Sequence, residues 1–465
     1  MRRVAAVLGA VVLAGCGSVR DMFTAHTDAV ATVGSRALGA QRVADLFVRS
    51  RVLAVQPDIL DRFGHLWVNY VLFADRVLAG DSLLDSATVQ TANWPAVQQI
   101  MIQRYHQQLV AKGVTLDSAR VDSIYQAGAL RLIRHVLIKI DTGMTPAQVA
   151  AKQAQAQAVR SALAAGGSWD RANMQNDDSL AKAHQGSVGV LARGETVEAF
   201  DQAAFALAPG ELAPVVQTPF GFHVLRRPRL SEVRAQYQQG VQQRLVAQMD
   251  SVYLVQLPQR LHFRVRSNAP ATVRDVARDP LASRQSGQLL ASFDGARFTA
   301  GDLARWFDVL PPQMPQQIPT ARDEDLRSFV QRLAQNAMLL VEARGAGVQL
   351  TGDETAQMRA DLRGQIAELR HALALDSLTA ADTTGKSRSE VVAKKVDAYL
   401  DKIVQNPQTL VPVPAPLADR LREVGGWRVY PAGVQRAFEL ARAQKASLDS
   451  AAGRIAPPGA GSRPR

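Results

Sequence analysis

The sequence predicts a multidomain α+β protein in which a compact α+β domain, a small mostly antiparallel sheet with flanking helices, is inserted between two mainly α-helical arms. Three observations carry this. The chain has 465 residues, 47% of them hydrophobic and 21% charged, which is more than one ordinary domain holds. Apolar residues recur at three- and four-residue spacing up to about Gly128 and again after Pro228. Between these stretches the texture turns β-rich at Leu130. The boundaries read as a leader over 1–15, a first arm over 16–129, the α+β domain over 130–229, a helix and connector over 230–288, a second arm over 289–450, and a disordered tail over 451–465.

Arg2 and Arg3 precede an apolar run from Val4 to Leu13, and Leu13-Ala14-Gly15-Cys16 follows. A run this short does not span a bilayer, which takes about 20 residues, so it reads as an export leader that is removed. Cys16 is the only cysteine and has no disulfide partner within the chain. It is either an incidental residue after an ordinary cleaved leader or an anchor. Leu13-Ala14-Gly15-Cys16 resembles the bacterial lipoprotein processing motif, which implies cleavage before Cys16 and acylation of its thiol and new amino group. Several acyl chains give stable membrane anchoring where one is marginal. Gly17 after the cysteine, rather than aspartate, resembles lipoproteins sent on to an outer membrane.

In the first arm Leu60, Phe63, Trp67, Tyr70, Val71 and Ala74 form a helical core stripe. Asn93-Trp94-Pro95 opens a further helix that Gly113 stops, and 116–127 is a third. The run 131–140 is apolar, rich in β-formers and bounded by Asp141-Thr142-Gly143, which predicts a buried strand. The next helix has a Thr145 cap, Pro146 at its first position, Gln148 completing a capping box, and Gly166-Gly167 at its end. Strands are expected over 189–192, 215–218 and 221–227, with a helix over 197–206.

Beyond Pro228 a helix is expected over 232–254, then a connector over 264–288 carrying Pro270 and Pro280. Residues 31–47 align without gaps to 291–307, and each stretch precedes a long amphipathic helix, carrying Asn69 and Leu72 in one and Asn336 and Leu339 in the other. Either alanine-rich helices coincide by composition, or two related arms flank the α+β domain. Helices near 353–375, 389–404 and 433–446 complete the second arm, and the Gly/Pro/Arg-rich end lacks apolar residues to order it.

The formal charge is +12 with a pI near 10.2. The basic residues are mostly scattered arginines without aromatic interleaving, which excludes a dedicated nucleic-acid surface. A diffuse positive surface favours encounters with acidic chains or an anionic membrane face. His135 and His223 lack a third ligand at metal-binding spacing, so no metal is expected, and nothing implies a cofactor. The isolated His65, His106, His184, His262 and His371 read as surface or packing residues.

Over 132–227 a series of ordered pieces stands out: Arg134-His135, Asn176-Asp177-Asp178-Ser179, Gln185-Gly186-Ser187-Val188-Gly189, Thr196 and Phe200, Gly210-Glu211-Leu212, and Thr218 with Gly221 and His223. Together they resemble the parvulin family of peptidyl-prolyl isomerases over nearly the whole of that domain. The resemblance implies a catalytic set of His135, Asp178, Thr218 and His223, with Val188, Thr196 and Phe200 lining a slot for the proline ring. Without it, two histidines on adjacent strands read as a buried hydrogen-bond network that holds a sheet rather than as an active site. Asp178 would act either electrostatically or by setting the histidine tautomers.

The chain departs from the family pattern at the slot. Thr196 stands where methionine is usual, Val188 where leucine is usual, and Gln185-Gly186-Ser187 in place of Gly-Gly-Asp. These changes imply a looser grip on proline, a rebuilt turn, and slow or lost turnover. The loop Asp141-Thr142-Gly143-Met144 carries no basic cluster for a phosphate, so unphosphorylated clients are expected.

The whole arrangement is similar to exported foldases of the SurA and PrsA type. It implies a membrane-anchored isomerase and chaperone, on the periplasmic face of the outer membrane, acting on X-Pro bonds of extended, proline-containing exported polypeptides. The alternative is a non-catalytic holdase or scaffold lipoprotein that keeps the α+β fold as a peptide-binding module.

Overall fold

The structure, a computed structural model, describes residues 28–455 apart from 51, 52, 312 and 425. The leader, the Cys16 anchor and the tail beyond Ile455 lie outside the described residues. The chain divides into two compact units, one from Gln103 to Phe263, the other combining the residues before Gln103 with those after Phe263.

The combined unit opens with a hairpin, β1 (Ala29–Val33) and β2 (Arg36–Gly39), turned at Gly34 with φ +58°. This adds a hairpin to an arm expected to be mainly helical. The strands are too short for their period to show in an alanine-rich sequence. Helix α1 (Ala40–Arg49) comes directly after them, then α2 (Pro57–Leu78), which has Pro57 at its first position and buries the whole stripe from Leu60 to Ala74. Helix α3 (Ser86–Ala92) follows, and α4 (Trp94–Gly113), which ends at the expected glycine, begins in this unit and continues into the one that starts at Gln103.

The unit from Gln103 to Phe263 is built round one four-stranded antiparallel sheet. After α5 (Ser118–Ala127) come β3 (Arg131–Lys139), α6 (Pro146–Ala164), the short α7 (Trp169–Asn173) and α8 (Ser179–Ala183), β4 (Ser187–Leu191), α9 (Glu198–Ala206), β5 (Val216–Thr218), β6 (Gly221–Arg226) and α10 (Leu230–Arg260). The spatial order is β4-β3-β6-β5. Strand β3 is central, and that explains its unbroken apolar run, since both of its faces are covered. Val136 and Ile138 pack with Ala156, Val159 and Trp169 on one side. Ile133 packs with Phe200, Ala204 and Phe205 on the other. The capping box on α6 forms as the sequence predicts, with Thr145 and Gln148 each satisfying the other's backbone N–H.

Back in the combined unit, β7 (Arg264–Val265) and α11 (Ala269–Arg278) occupy the stretch expected to be a connector. Pro270 sits in the first turn of α11, where a missing N–H costs nothing, so it marks a helix start rather than a loop. Then come β8 (Leu289–Phe293), β9 (Ala296–Thr299), α12 (Ala300–Trp306), α13 (Asp323–Gly345), α14 (Gly352–Ala372), α15 (Arg388–Gln405), α16 (Ala415–Val424), β10 (Trp427–Val429) and α17 (Pro431–Ile455). Helix α17 runs past the expected start of the tail.

The internal repeat is structural. Val33 opposes Arg36 and Ala31 opposes Leu38 in the first hairpin, with an irregularity between Ala29 and Ala31. Phe293 opposes Ala296 and Ala291 opposes Phe298 in the second, with the same irregularity between Leu289 and Ala291. A third strand closes each: Val429 lies opposite Ala31, and Val265 opposite Ala291. Each closing strand leads into a helix, α17 and α11. The first hairpin is thus closed from the far end of the chain, and the second by the segment that precedes it. Val30, Tyr70 and Phe73 share one core with Met358, Val392, Tyr399 and Val434, so the segments before and after the sheet domain have a common interior.

Candidate active site

Antiparallel pairing of β3 and β6 sets His135 opposite Leu225 and His223 opposite Leu137. The two histidines are therefore diagonal neighbours on one face of the sheet. Their rings stack at 5.4 Å with 23° between planes, and the two Nδ1 atoms are 3.1 Å apart. His135 Nε2 lies 3.1 Å from Asp178 Oδ2, and His223 Nε2 lies 2.8 Å from Thr218 Oγ1. The four polar residues expected to form the site come together as one linear chain, Asp178, His135, His223, Thr218.

The donor and acceptor inventory orders the protons along it. A carboxylate only accepts, so His135 Nε2–H donates to Asp178. A neutral His135 then has a bare Nδ1, which accepts from His223 Nδ1–H. His223 Nε2 is bare in turn and accepts from the Thr218 hydroxyl, whose oxygen accepts from the Phe220 N–H at 3.1 Å. This needs both imidazoles neutral. Burial lowers the pKa of His135, with Asp178 opposing. Burial and the neighbouring His135 lower His223 to about 4.

Asp178 is the N-cap of α8: its Oδ1 accepts from the N–H groups of Leu180 and Ala181 at 3.1 and 3.0 Å. Burial alone would raise its pKa, but these amides and His135 outweigh it and hold it below the usual carboxylate range. Its side chain is 31% exposed while that of His135 is 4% exposed. The anionic end of the chain is therefore the end a client can reach.

Asn176, named in the Asn176-Asp177-Asp178-Ser179 piece but given no role there, ties this end down. It is buried; its Oδ1 accepts from Leu137 N–H at 2.9 Å and Asp178 N–H at 3.1 Å, and its Nδ2 donates to the His135 carbonyl at 2.8 Å. One side chain so fixes the turn that carries Asp178 to the strand that carries His135. The signal in the sequence was an asparagine two residues ahead of a helix-capping aspartate.

Phe200 is buried on α9 and stands edge-on to both imidazoles, 5.9 Å from His135 and 5.3 Å from His223. Val188 is half-buried and packs against the cluster that contains Phe200. Thr196 is half-buried, and its Oγ1 is sequestered without a hydrogen-bond partner. The turn before β4 keeps left-handed backbone at Gln185, φ +57°, and Gly186, φ +78°. Gly186 is obligatory there, because a Cβ would sit 2.8 Å from the His135 carbonyl oxygen, while its own carbonyl accepts from His135 N–H at 2.7 Å. Gln185 takes the strained angle with its side-chain carbonyl accepting from Arg134 at 3.0 Å and its backbone carbonyl accepting from Trp169 Nε1–H at 2.8 Å. Among the described residues no group of three or more potential ligands is placed to hold a metal ion.

Residues 135–228 match the family model described as Rotamase, the PPIC-type PPIase domain. The chain is similar to the chaperone SurA of Thiobacillus denitrificans, 24% identical over 134 residues, which cover 28% of this chain and 31% of that one. It is similar to the foldase protein PrsA of Staphylococcus epidermidis, 28% identical over 75 residues, covering 16% and 23%. The chain thus spans less than a third of the length of these relatives. Among solved structures, the peptidyl-prolyl isomerase PrsA from Bacillus anthracis aligns at 20% identity over 45% of this chain and 87% of that one, with a TM-score of 0.19. The matched segment contains all of the sheet but the first four residues of β3, with the histidine pair and the capped aspartate described above, so this chain carries a parvulin-type, PPIC-type peptidyl-prolyl isomerase domain of the kind found in SurA and PrsA foldases.

Proposed function

We propose that the protein is a peptidyl-prolyl cis/trans isomerase and chaperone for exported polypeptides, with His135, Asp178, Thr218 and His223 as its catalytic set. The observation that carries this is the unbroken hydrogen-bond chain, with Phe200 edge-on to its two histidines and an accessible carboxylate at one end. Rotation about an X-Pro bond crosses about 18–20 kcal/mol because the amide loses its resonance, and no covalent bond breaks. In the planar amide that resonance places negative charge on the carbonyl oxygen. A carboxylate held close to it destabilises the planar forms relative to the twisted one, which is the differential binding that catalysis needs. The neutral histidine pair holds Asp178 in place and keeps it ionised. Phe200 and Val188 supply the apolar wall for the ring, and the clients are extended, unphosphorylated chains.

Exchange between cis and trans isomers of a proline peptide, followed by NMR, tests this. Acceleration by the wild-type protein and its loss in Asp178→Ala are expected; no acceleration at high protein concentration overturns the reading. We place the protein at a membrane through a lipid on Cys16, on the periplasmic face of an outer membrane. Cys16→Ser is expected to move it from the detergent phase to the aqueous phase on cloud-point partition.

One observation favours a second reading, a non-catalytic holdase. Thr196, which the family resemblance assigns to the slot, holds its hydroxyl sequestered without a partner, and an unsatisfied polar group in that wall weakens an apolar slot. On that reading a variant lacking both His135 and His223 suppresses client aggregation as well as the wild type does.

A further inference from the structure

Two of the three residues proposed for the proline slot lie on one short stretch, Val188 on β4 and Thr196 in the loop 192–197 that leads from β4 to α9. No strand or helix holds this loop, so side chains have to. Gly194, at φ +81°, donates its N–H to Asp201 Oδ1 on α9 at 2.8 Å, and Ala192 donates its N–H to Glu195 Oε2 at 2.9 Å. Asp201 thereby ties the loop to the helix that carries Phe200. Glu195, the neighbour of Thr196, ties it to a different element.

That element is α10, and the partner on it is Arg244, which lies beyond the end of the segment that matches the family model. Its Nη1 and Nη2 both donate to the Glu195 carboxylate, the first at 2.8 Å, and its Nε donates to the Val190 carbonyl at 2.7 Å. One planar fork so holds the strand two residues from Val188 and the loop one residue from Thr196. The close approach depends on Gly240, one turn earlier on α10, where a Cβ would lie 2.5 Å from Val190 Cγ2. Helix α10 does not need Arg244 to stay on the sheet. Val233, Tyr237 and Val241 are buried with Leu132 and Val190, and the Tyr237 hydroxyl donates to the Leu130 carbonyl at 3.0 Å. The side chains of Arg244 and Glu195 are 31% and 40% exposed, and a pair so open to water contributes little to stability. What it does contribute is direction.

We propose that Arg244 is a positioning residue of the isomerase. Through Glu195 and the Val190 carbonyl it holds Thr196 and Val188 at the separation that admits a prolyl ring, so α10 sets the width of the slot. This rests on the reading of the domain as a prolyl isomerase with Val188 and Thr196 in its slot. Arg244 makes no bond to Asp178, His135, His223 or Thr218, so its effect falls on the grip and leaves the carbonyl chemistry alone. The ring is gripped in the planar and twisted forms alike, and loss of such uniform binding raises KM without lowering kcat.

The test is exchange NMR on a short peptide with one alanyl-prolyl bond, titrated with the full chain to separate kcat from KM. Arg244→Ala is expected to raise KM at least about fivefold with kcat within about twofold of wild type. Lysine carries the charge without the fork, so Arg244→Lys should stay closer to the alanine variant than to wild type. Glu195→Ala should raise KM as well, and the double variant should be no worse than the poorer single one, because both act on one contact. An unchanged KM in Arg244→Ala, a fall in kcat alone, full rescue by lysine, or multiplying effects in the double variant each overturn the proposal. A wild-type chain that binds the peptide without turning it over counts against the isomerase reading alone. The positioning role is then read from the peptide Kd, expected to rise in the same variants and to stay level if Arg244 does not shape the slot.

Discussion

At Asn176 a single buried side chain satisfies two amide N–H groups and one carbonyl, and these belong to the two segments that must bring Asp178 to His135. Asn176→Ala leaves all three without a partner, at about 1–3 kcal/mol for a buried unsatisfied group. We expect a domain destabilised by about 2–4 kcal/mol and a fall in kcat of at least about tenfold with a smaller change in KM, because the carboxylate is misplaced rather than lost. Asn176→Asp keeps the two acceptor bonds, so it should recover part of the rate in the NMR exchange assay. Gln185 poses the opposite case. A non-glycine residue at φ +57° costs about 1–2 kcal/mol, and its side-chain bond to Arg134 is exposed and offsets little. Gln185→Gly should raise stability by about 0.5–1 kcal/mol, read as a higher urea midpoint at unchanged m. This residue was legible as a departure from the family turn, but whether the turn survived it was not. That depended on Trp169 and Arg134, which are distant in sequence and hold it from outside.

The elements that were legible are those whose signals are local. The capping box at Thr145 and Gln148, the stripe on α2 and the doubly covered strand β3 each announce themselves within a few residues. The elements that were missed take their meaning from distant partners. Strand β7 has two residues and β10 three, and each is a strand only because a hairpin offers it an edge. The repeat could be read as an alignment, but closure of the first hairpin by the far end of the chain could not, since no pattern within 31–47 encodes it. Helix α17, next in the chain after that closing strand, shows how tight the fit is. A Cβ on Gly433 would lie 1.8 Å from the Ala29 carbonyl oxygen and 2.5 Å from its carbon, both backbone atoms that cannot step aside. Gly433→Ala should therefore push α17 off β1 and cost about 3 kcal/mol or more, an overpacking effect at the upper end of the usual range. Gly364, in the interior of α14, is exposed with nothing within 4 Å of a Cβ, so Gly364→Ala should stabilise by about 0.5–1 kcal/mol through helix propensity alone. Thermal melts of the two variants, one lower and one higher than wild type, would show that the helix contact rather than glycine content sets the difference.

At the scale of the whole molecule the two units carry buried titratable groups of different sign, and acid should act on them differently. In the unit from Gln103 to Phe263 the resolved shifts of His135, His223 and Asp178 are all downward. A histidine held near 4 when folded and near 6.5 when unfolded binds fewer protons in the native state. Its contribution is present above about pH 6.5 and is lost as pH falls towards 4, on the order of 3 kcal/mol for His223. Asp178 adds a loss of the same sign, but only below the ordinary carboxylate pKa. In the other unit His65 is lowered to about 4, mainly by burial, and acts in the same direction. There, however, Asp61, Asp397 and Asp419 are raised, chiefly by burial. Those carboxyls take up protons more readily folded than unfolded, so acidification stabilises the native state through them and offsets His65. The isomerase unit should therefore be the more acid-sensitive of the two. Pulsed hydrogen exchange with mass spectrometry across a urea series, near pH 7.5 and near pH 5, reads each unit by its own peptides. The midpoint of the isomerase unit is expected to fall further than that of its companion, and His223→Phe should remove much of that fall. Equal falls in both units, or a fall unchanged by the substitution, would show that the buried imidazole pair does not set the acid limit. On the proposed mechanism prolyl turnover needs the same neutral pair, so it should stay level from about pH 8 down to about pH 5.5 and decline towards 4.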